Sequence, residues 1–182
     1  MKFDVRGDVS GIIQHLTATQ REKIPAAMVR ALNKTATAVR AEAVKRVRDE
    51  RALKAAVVRD AIAIKRANRA RMTAEVIATG RPIPLREYGA NQTRLGVTVR
   101  VTPKGGRKLI QRNGNHAFMV GRYGNHVYIR EGKKRLPIKK LYGPSIPTAF
   151  IKGAVMKAID VVGRATFPKR FHEEAKYELS KR

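Results

Sequence analysis

Residues 139–150, with the sequence KKLYGPSIPTAF, separate a middle region rich in predicted strands from a helical C-terminal part. Pro144, Pro147 and Gly143 all occur within five residues of one another. Proline lacks a backbone N–H and fixes φ, so neither a regular strand nor a helix is expected to run through this segment. We therefore predict a rigid connector, poor in hydrogen bonds, that is made by Tyr142, Gly143, Pro144 and Pro147.

Beyond the connector, apolar residues recur with the spacing of a helix, at Ile151, Val155, Ala158, Ile159 and Val162. We expect this helix to have Thr148 as its N-cap and to end at Gly163. The Phe167-Pro168 pair is then expected to begin a second amphipathic helix.

Before the connector, short segments alternate apolar with basic or polar residues, as strands do, at 61–66, 71–79, 83–88, 94–102, 116–120 and 127–130. Turns rich in Gly, Pro and Asn separate most of them. Two of the segments are similar: GNHAFMV begins at Gly114 and GNHVYIR begins at Gly124. The pair predicts a β-hairpin within an antiparallel sheet.

The N-terminal part predicts one long amphipathic helix over 19–51, because apolar residues recur every three or four positions from Ile24 to Val39. A shorter helix is predicted over 53–60. The fold class is therefore α+β, with a long N-terminal helix packed on an antiparallel, meandering sheet and followed by C-terminal helices. We expect a single domain, with the helix and sheet core over 1–147 and the C-terminal helices over 148–182.

The chain has 182 residues, no cysteine and a formal net charge of +26 at pH 7. Without cysteine there is neither a disulfide nor a thiolate metal site. We expect no signal peptide and no membrane contact, because the start of the chain has no apolar run and no apolar stretch approaches a bilayer-spanning length.

The positive charge is concentrated in the middle of the chain. From residue 88 to residue 159 there are 15 Lys and Arg residues and a single acid, Glu131. Such a field attracts polyanions, so we expect contact with DNA or with an acidic protein surface, without sequence-specific reading of bases. The candidate polyanion-facing residues are Arg100, Lys104, Arg107, Lys108, Arg112, Arg122, Lys133, Lys134, Arg135, Lys139 and Lys140.

Catalytic chemistry is not indicated by the sequence. His116 and His126 stand in the two similar segments, but no carboxylate lies between residues 88 and 130 to complete a metal site with them. The Gly-rich turns lack the spacing of a phosphate-binding loop, and no serine stands in a nucleophile motif. We therefore predict no catalytic residues, no metal ligands and no cofactor.

The connector through Tyr142, Gly143, Pro144 and Pro147, the basic N-terminal helix and the FPKRF block at 167–171 together resemble the minor tail protein Z family of long-tailed, lambda-like bacteriophages. The resemblance implies a structural virion protein, made in the host cytoplasm, that completes the tail at its head-proximal end or neck. It also implies a homo-oligomeric ring, with a hexamer favoured, and neighbours among the tail and head-tail connector proteins. DNA is a further candidate partner.

Two other functional classes remain open on the residues alone. The high charge also suits a non-sequence-specific nucleic-acid-binding protein of the ribosomal or chromosome-compacting type, whose affinity for nucleic acid alone would fall steeply with salt. An enzyme acting on nucleic acid is the third class, and it would need a divalent metal ion.

Overall fold

The computed structural model describes residues 2–6, 18–150 and 153–181. It confirms the mixed α+β class. The helices are α1 (Ala18–Glu50), α2 (Ala55–Asp60), α3 (Pro147–Phe150) and α4 (Ala154–Ser180). The strands are β1 (Lys2–Arg6), β2 (Ile62–Lys65), β3 (Thr73–Ala78), β4 (Ile83–Pro84), β5 (Asn91–Thr93), β6 (Gly96–Val99), β7 (Lys108–Leu109), β8 (Gln111–Arg112), β9 (Asn115–His116), β10 (Phe118–Val120), β11 (His126–Arg130), β12 (Ile138–Lys140) and β13 (Tyr142–Gly143).

The chain divides into two compact units. The first unit comprises Met1–Val44, Ile62–Ala78 and Gly153–Arg182, and the second comprises Lys45–Ala61 and Thr79–Lys152. The predicted grouping into 1–147 and 148–182 stays a prediction.

In the first unit, β1, β3 and β2 form an antiparallel sheet in that order, with Phe3 opposite Val76. The apolar stripe that the sequence predicts on α1 is confirmed, because all five of its residues are at most 4% exposed: Ile24, Met28, Leu32, Thr35 and Val39. Burial of one face is what stabilises a helix of this length in a globular protein.

Helix α4 carries two acids that pair with α1. Arg30 donates to Glu174 over 2.6 Å and also to Glu178, and Lys34 pairs with Glu174. The hydrogen bond from Lys34 lowers the pKa of Glu174, and the one from Arg30 lowers it further. Burial acts in the opposite direction, but the pKa stays below its ordinary value. Burial raises the pKa of Glu178, but the hydrogen bonds from Arg30 and Lys181 outweigh it and the pKa is lowered. These two carboxylates therefore stay ionised beside the cations that they neutralise.

The expected break in the C-terminal helix is wrong. Helix α4 is continuous from Ala154 to Ser180, with both Gly163 and Pro168 inside it. Gly163 is buried against Phe3 of β1 and Val39 of α1, so its missing side chain allows close packing rather than ending the helix. Packing of this kind overrides a weak local preference. The expected helix residue Ile151 lies outside the described residues.

In the second unit, the strands form several small antiparallel sheets. The predicted hairpin is confirmed: β10 pairs with β11, with Phe118 opposite Tyr128, and β12 adds to the other side of β11. A 3-10 helix over Gly121–Tyr123 makes its turn. His116 does not belong to this hairpin, since it lies in β9 opposite Gln111 of β8.

Two further predictions differ from the structure in this unit. The strand expected over 83–88 ends after Pro84 and gives way to a 3-10 helix, Leu85–Tyr88. Strands β7 and β8 lie between the predicted strands 94–102 and 116–120, where the sequence predicts no strand. A strand of two residues is too short to show an alternating pattern in the sequence. It is recognised only by the strand with which it pairs.

Replacement of Gly163 by alanine tests the continuous helix. The new Cβ would meet Val39 Cγ2 at 3.5 Å and Phe3 Cε1 at 3.6 Å, which are ordinary contacts. Because glycine in a helix interior costs about 0.5–1 kcal/mol relative to alanine, Gly163→Ala should raise the free energy of unfolding by about that amount in urea titrations.

The matched control is Gly153→Ala, at a residue with φ of +75°, which should destabilise the protein because alanine is strained there. A loss of stability in Gly163→Ala as well would mean that the helix ends at Gly163 after all.

Candidate polyanion-binding surface

A buried tyrosine organises the second unit. Tyr88 is fully buried, and its hydroxyl donates a hydrogen bond to the Pro144 carbonyl. Burial raises the pKa of Tyr88 to about 12. The ring lies directly against Gly143, where a Cβ would come within 2.8 Å of the Tyr88 Cδ2 atom. Only a residue without a side chain fits against this ring, which gives Gly143 a specific structural role.

The connector is not poor in hydrogen bonds, so this part of the sequence prediction is wrong. Tyr142 and Gly143 form β13, which pairs with Pro84 and Ile83 of β4. Just before it, the Leu141 N–H donates to the Val127 carbonyl over 2.9 Å. Proline is tolerated in a short strand at the edge of a sheet, because one side of that strand has no partner and needs no backbone N–H donor.

The end of the connector also differs in detail from the prediction. Pro147 is the first residue of α3, a position that tolerates proline because its N–H has no helical partner. Thr148 therefore lies inside α3 rather than at its N-cap. Its hydroxyl donates to the Ser145 carbonyl over 2.6 Å.

Among the candidate cations, Arg107 holds its own loop in place. Its guanidinium donates to the Gly89 carbonyl over 2.5 Å and to the Thr98 carbonyl over 3.0 Å, and its Nε donates to the Thr98 hydroxyl over 3.2 Å. Two other candidates also have partners: Lys139 lies 3.9 Å from Glu131, and Lys140 lies over the Tyr142 ring at 5.5 Å.

The remaining eight candidates are exposed side chains. Within the described ranges none of these side chains has a hydrogen bond or an ion pair: Arg100, Lys104, Lys108, Arg112, Arg122, Lys133, Lys134 and Arg135. We call this set the free cations. Their guanidinium and ammonium groups are available to an external anion.

Arg112 is placed by a tight turn. Asn113 and Gly114 have φ of +50° and +75°, as a two-residue hairpin between β8 and β9 requires. The Asn115 side chain then donates to the carbonyls of Arg130 and Gly132 and ties this hairpin to the end of β11. A small polar cavity of about 160 Å³ results, with Arg112, Asn113, Ile129, Arg130, Glu131 and Lys139 in its wall.

A larger open cleft of about 530 Å³ lies beside the β10–β11 hairpin, and we call it the arginine–aromatic cleft. Arg130 is stacked over the Phe118 ring at 5.0 Å, and Tyr123 packs edge-on against Tyr128 at 6.0 Å. Sequence reasoning did not find this cleft, since its parts come from separate segments. It is lined by Phe118, Val120, Arg122, Tyr123, Arg130, Arg135, Leu136 and Ile138.

The described histidines His116, His126 and His172 do not gather into a metal site. His126 is half-buried, and burial together with the charges of Lys140 and Arg86 lowers its pKa, so it is neutral at pH 7. Throughout the residues that the structure describes, no three His, Asp or Glu side chains are placed to hold a metal ion. In the same residues no helix has the length and apolar character to cross a membrane.

The chain matches a known protein family. A family model described as "Prophage minor tail protein Z (GPZ)" matches residues 8–182, which is nearly the whole chain. No curated protein and no solved structure matches the chain.

The fit of Gly143 against Tyr88 predicts a large loss of stability in Gly143→Ala. A Cβ there overlaps a ring that is fully buried, and such overpacking costs about 1–3 kcal/mol. Urea unfolding of the purified variant measures the loss.

Gly132→Ala is the matched control, because no atom lies within 4 Å of the position that its Cβ would take. Its free energy of unfolding should change by less than about 0.5 kcal/mol. Equal stability of the two variants would contradict the packing of Gly143 against Tyr88.

Proposed function

This chain belongs to the prophage minor tail protein Z family, and from that premise we propose that it completes the phage tail. In this proposal it assembles as a ring at the head-proximal end or neck of the tail, and the ring is needed for tail assembly and DNA delivery. The observation that carries the proposal is the match of the family model to nearly the whole chain.

The coarser function follows from family membership alone. The protein is a structural component of the phage tail and therefore of the virion. The family is one of structural proteins rather than enzymes. A structural protein acts through its binding surfaces, and the free cations are exposed groups that such a surface could use.

The charge distribution supports a place beside DNA or beside an acidic neighbour. The free cations all belong to the second unit, between Arg100 and Arg135, where Glu131 is the only acid. Cations at the tips of loops and hairpins contact phosphates or carboxylates without reading bases. A ring that carried such residues would contact the passing DNA through its backbone, or the tail and connector proteins around it.

The first prediction from this proposal concerns DNA delivery. A phage that carries Lys104, Lys108 and Arg112→Gln should assemble particles but lose infectivity by more than about tenfold, because three anion contacts are removed. Arg107 is kept, since its hydrogen bonds support the fold. Plaque titre against particle number measures the effect.

A control variant with the same loss of charge is Lys157, Lys169 and Lys176→Gln, three exposed positions on α4 of the first unit. Its infectivity should stay near that of the unaltered phage. Full infectivity of the Lys104, Lys108 and Arg112 variant would rule out a role of these cations in delivery.

The second prediction concerns the ring. Native mass spectrometry of the purified protein, and of isolated tails, should find a closed assembly of this chain, with six copies favoured by the family resemblance. Closed rings arise when one surface patch of a subunit binds a different patch of the next. A protein that stays monomeric and is absent from tails would overturn the proposal.

The free cations also fit a second function, that of a non-sequence-specific nucleic-acid-binding protein. Such a protein binds duplex DNA or RNA by itself, with an affinity that falls steeply as salt rises. A tail completion protein instead depends on its protein neighbours. Duplex binding by the isolated chain at physiological salt would favour this second function.

A further inference from the structure

We propose that the arginine–aromatic cleft binds unpaired nucleotides of a single-stranded nucleic acid. This inference does not depend on the ring or on a role in tail completion. It rests on three observations: the charge of the cleft wall, its exposed rings and its concave shape.

The wall of the cleft is positively charged. It contains Arg122, Arg130 and Arg135, and no carboxylate is among its lining residues. Arg122 and Arg135 have no partner in the described part of the chain, so nothing there neutralises their guanidinium groups. Arginine binds phosphate through two parallel N–H groups, and three arginines around one cleft suit a segment with several phosphates.

The same wall presents planar and apolar surfaces that a phosphate would not need. Tyr123 is 55% exposed and Leu136 is 65% exposed. Phe118 is half-buried, with the Arg130 guanidinium stacked over its ring. Bases stack on tyrosine and phenylalanine rings and on guanidinium planes, whatever their sequence.

The shape of the cleft distinguishes single strands from duplexes. In a duplex the faces of the bases are stacked on one another, so only phosphates, sugars and groove edges reach a protein. A concave cleft of about 530 Å³ has room for a base together with its phosphate. Only an unpaired nucleotide can bring both into contact with Tyr123 and the arginines at once.

Other occupants fit the cleft less well. A second copy of this chain also carries a net charge of +26, which opposes its approach to three arginines. An acidic peptide would satisfy the arginines, but carboxylates leave the face of the Tyr123 ring without a planar partner.

Fluorescence anisotropy with the purified full chain tests the inference. The probes are a labelled oligothymidylate of about 15 nucleotides and a blunt duplex of the same length, in about 0.1 M salt. We expect the single strand to bind at least about tenfold more tightly than the duplex. Tyr123→Leu should weaken single-strand binding by about 5-fold to 100-fold, whereas Tyr123→Phe should keep it, because phenylalanine retains the stacking face.

Two double variants with the same loss of charge distinguish binding in the cleft from general attraction by the positive charge of the protein. Arg122 and Arg135→Gln should weaken single-strand binding by about tenfold or more, because two phosphate contacts are lost. Arg81 and Arg94→Gln, at exposed positions outside the cleft, should have a much smaller effect.

Three results would overturn the inference. The first is a duplex that binds as tightly as the single strand, and the second is equal affinity of Tyr123→Leu and Tyr123→Phe. The third is no binding of either probe, which would leave the cleft to a protein partner. The proposed place in the tail is tested separately by the infectivity and mass measurements, although tight duplex binding would also favour the second function described above.

Discussion

The buried ring of Tyr88 is the constraint on which the second unit depends. Gly143 leaves the space for the ring, and the Pro144 carbonyl accepts a hydrogen bond from the Tyr88 hydroxyl. The backbone carbonyl of Tyr88 accepts a hydrogen bond from the Arg100 N–H over 3.2 Å, and the carbonyl of the next residue, Gly89, accepts one from the Arg107 guanidinium. One side chain and its backbone therefore fix the connector, the end of β6 and the basic loop that follows. Among the free cations, Arg100 directly follows β6, and Lys104 and Lys108 lie on the segment that comes after it, so this cluster bears on their positions.

The two units differ in how many of their cations have an acid to pair with. In the first unit the buried acids Glu75, Glu174 and Glu178 are each paired with nearby cations. The second unit has fewer acids for its cations, and among the residues that the structure describes Glu131 pairs only with Lys139. Uncompensated like charges lower the stability of a compact state through repulsion. An external anion relieves that repulsion on binding, and the free energy so recovered adds to the affinity for the partner.

The sequence predicts those parts of the fold that repeat a local pattern. The buried stripe of α1 follows from helical periodicity, and the β10–β11 hairpin follows from its two similar segments. Helix α4 was divided wrongly because Gly163 and Pro168 are read locally as breaks, whereas burial of Gly163 against Phe3 decides the outcome. The sequence names Arg107 as a candidate contact for a polyanion, but its hydrogen bonds to Gly89 and Thr98 depend on contacts that no local pattern encodes.

The cleft shows why composition alone understates the binding capacity of such a chain. With only 5% aromatic residues, stacking looks unimportant from the sequence. The fold nevertheless brings Phe118 and Tyr123 beside Arg130 and Arg135, across strands and a loop that the sequence keeps apart. Arg130 lies in the wall of both this cleft and the polar cavity that contains Arg112, so a single residue contributes to two neighbouring sites.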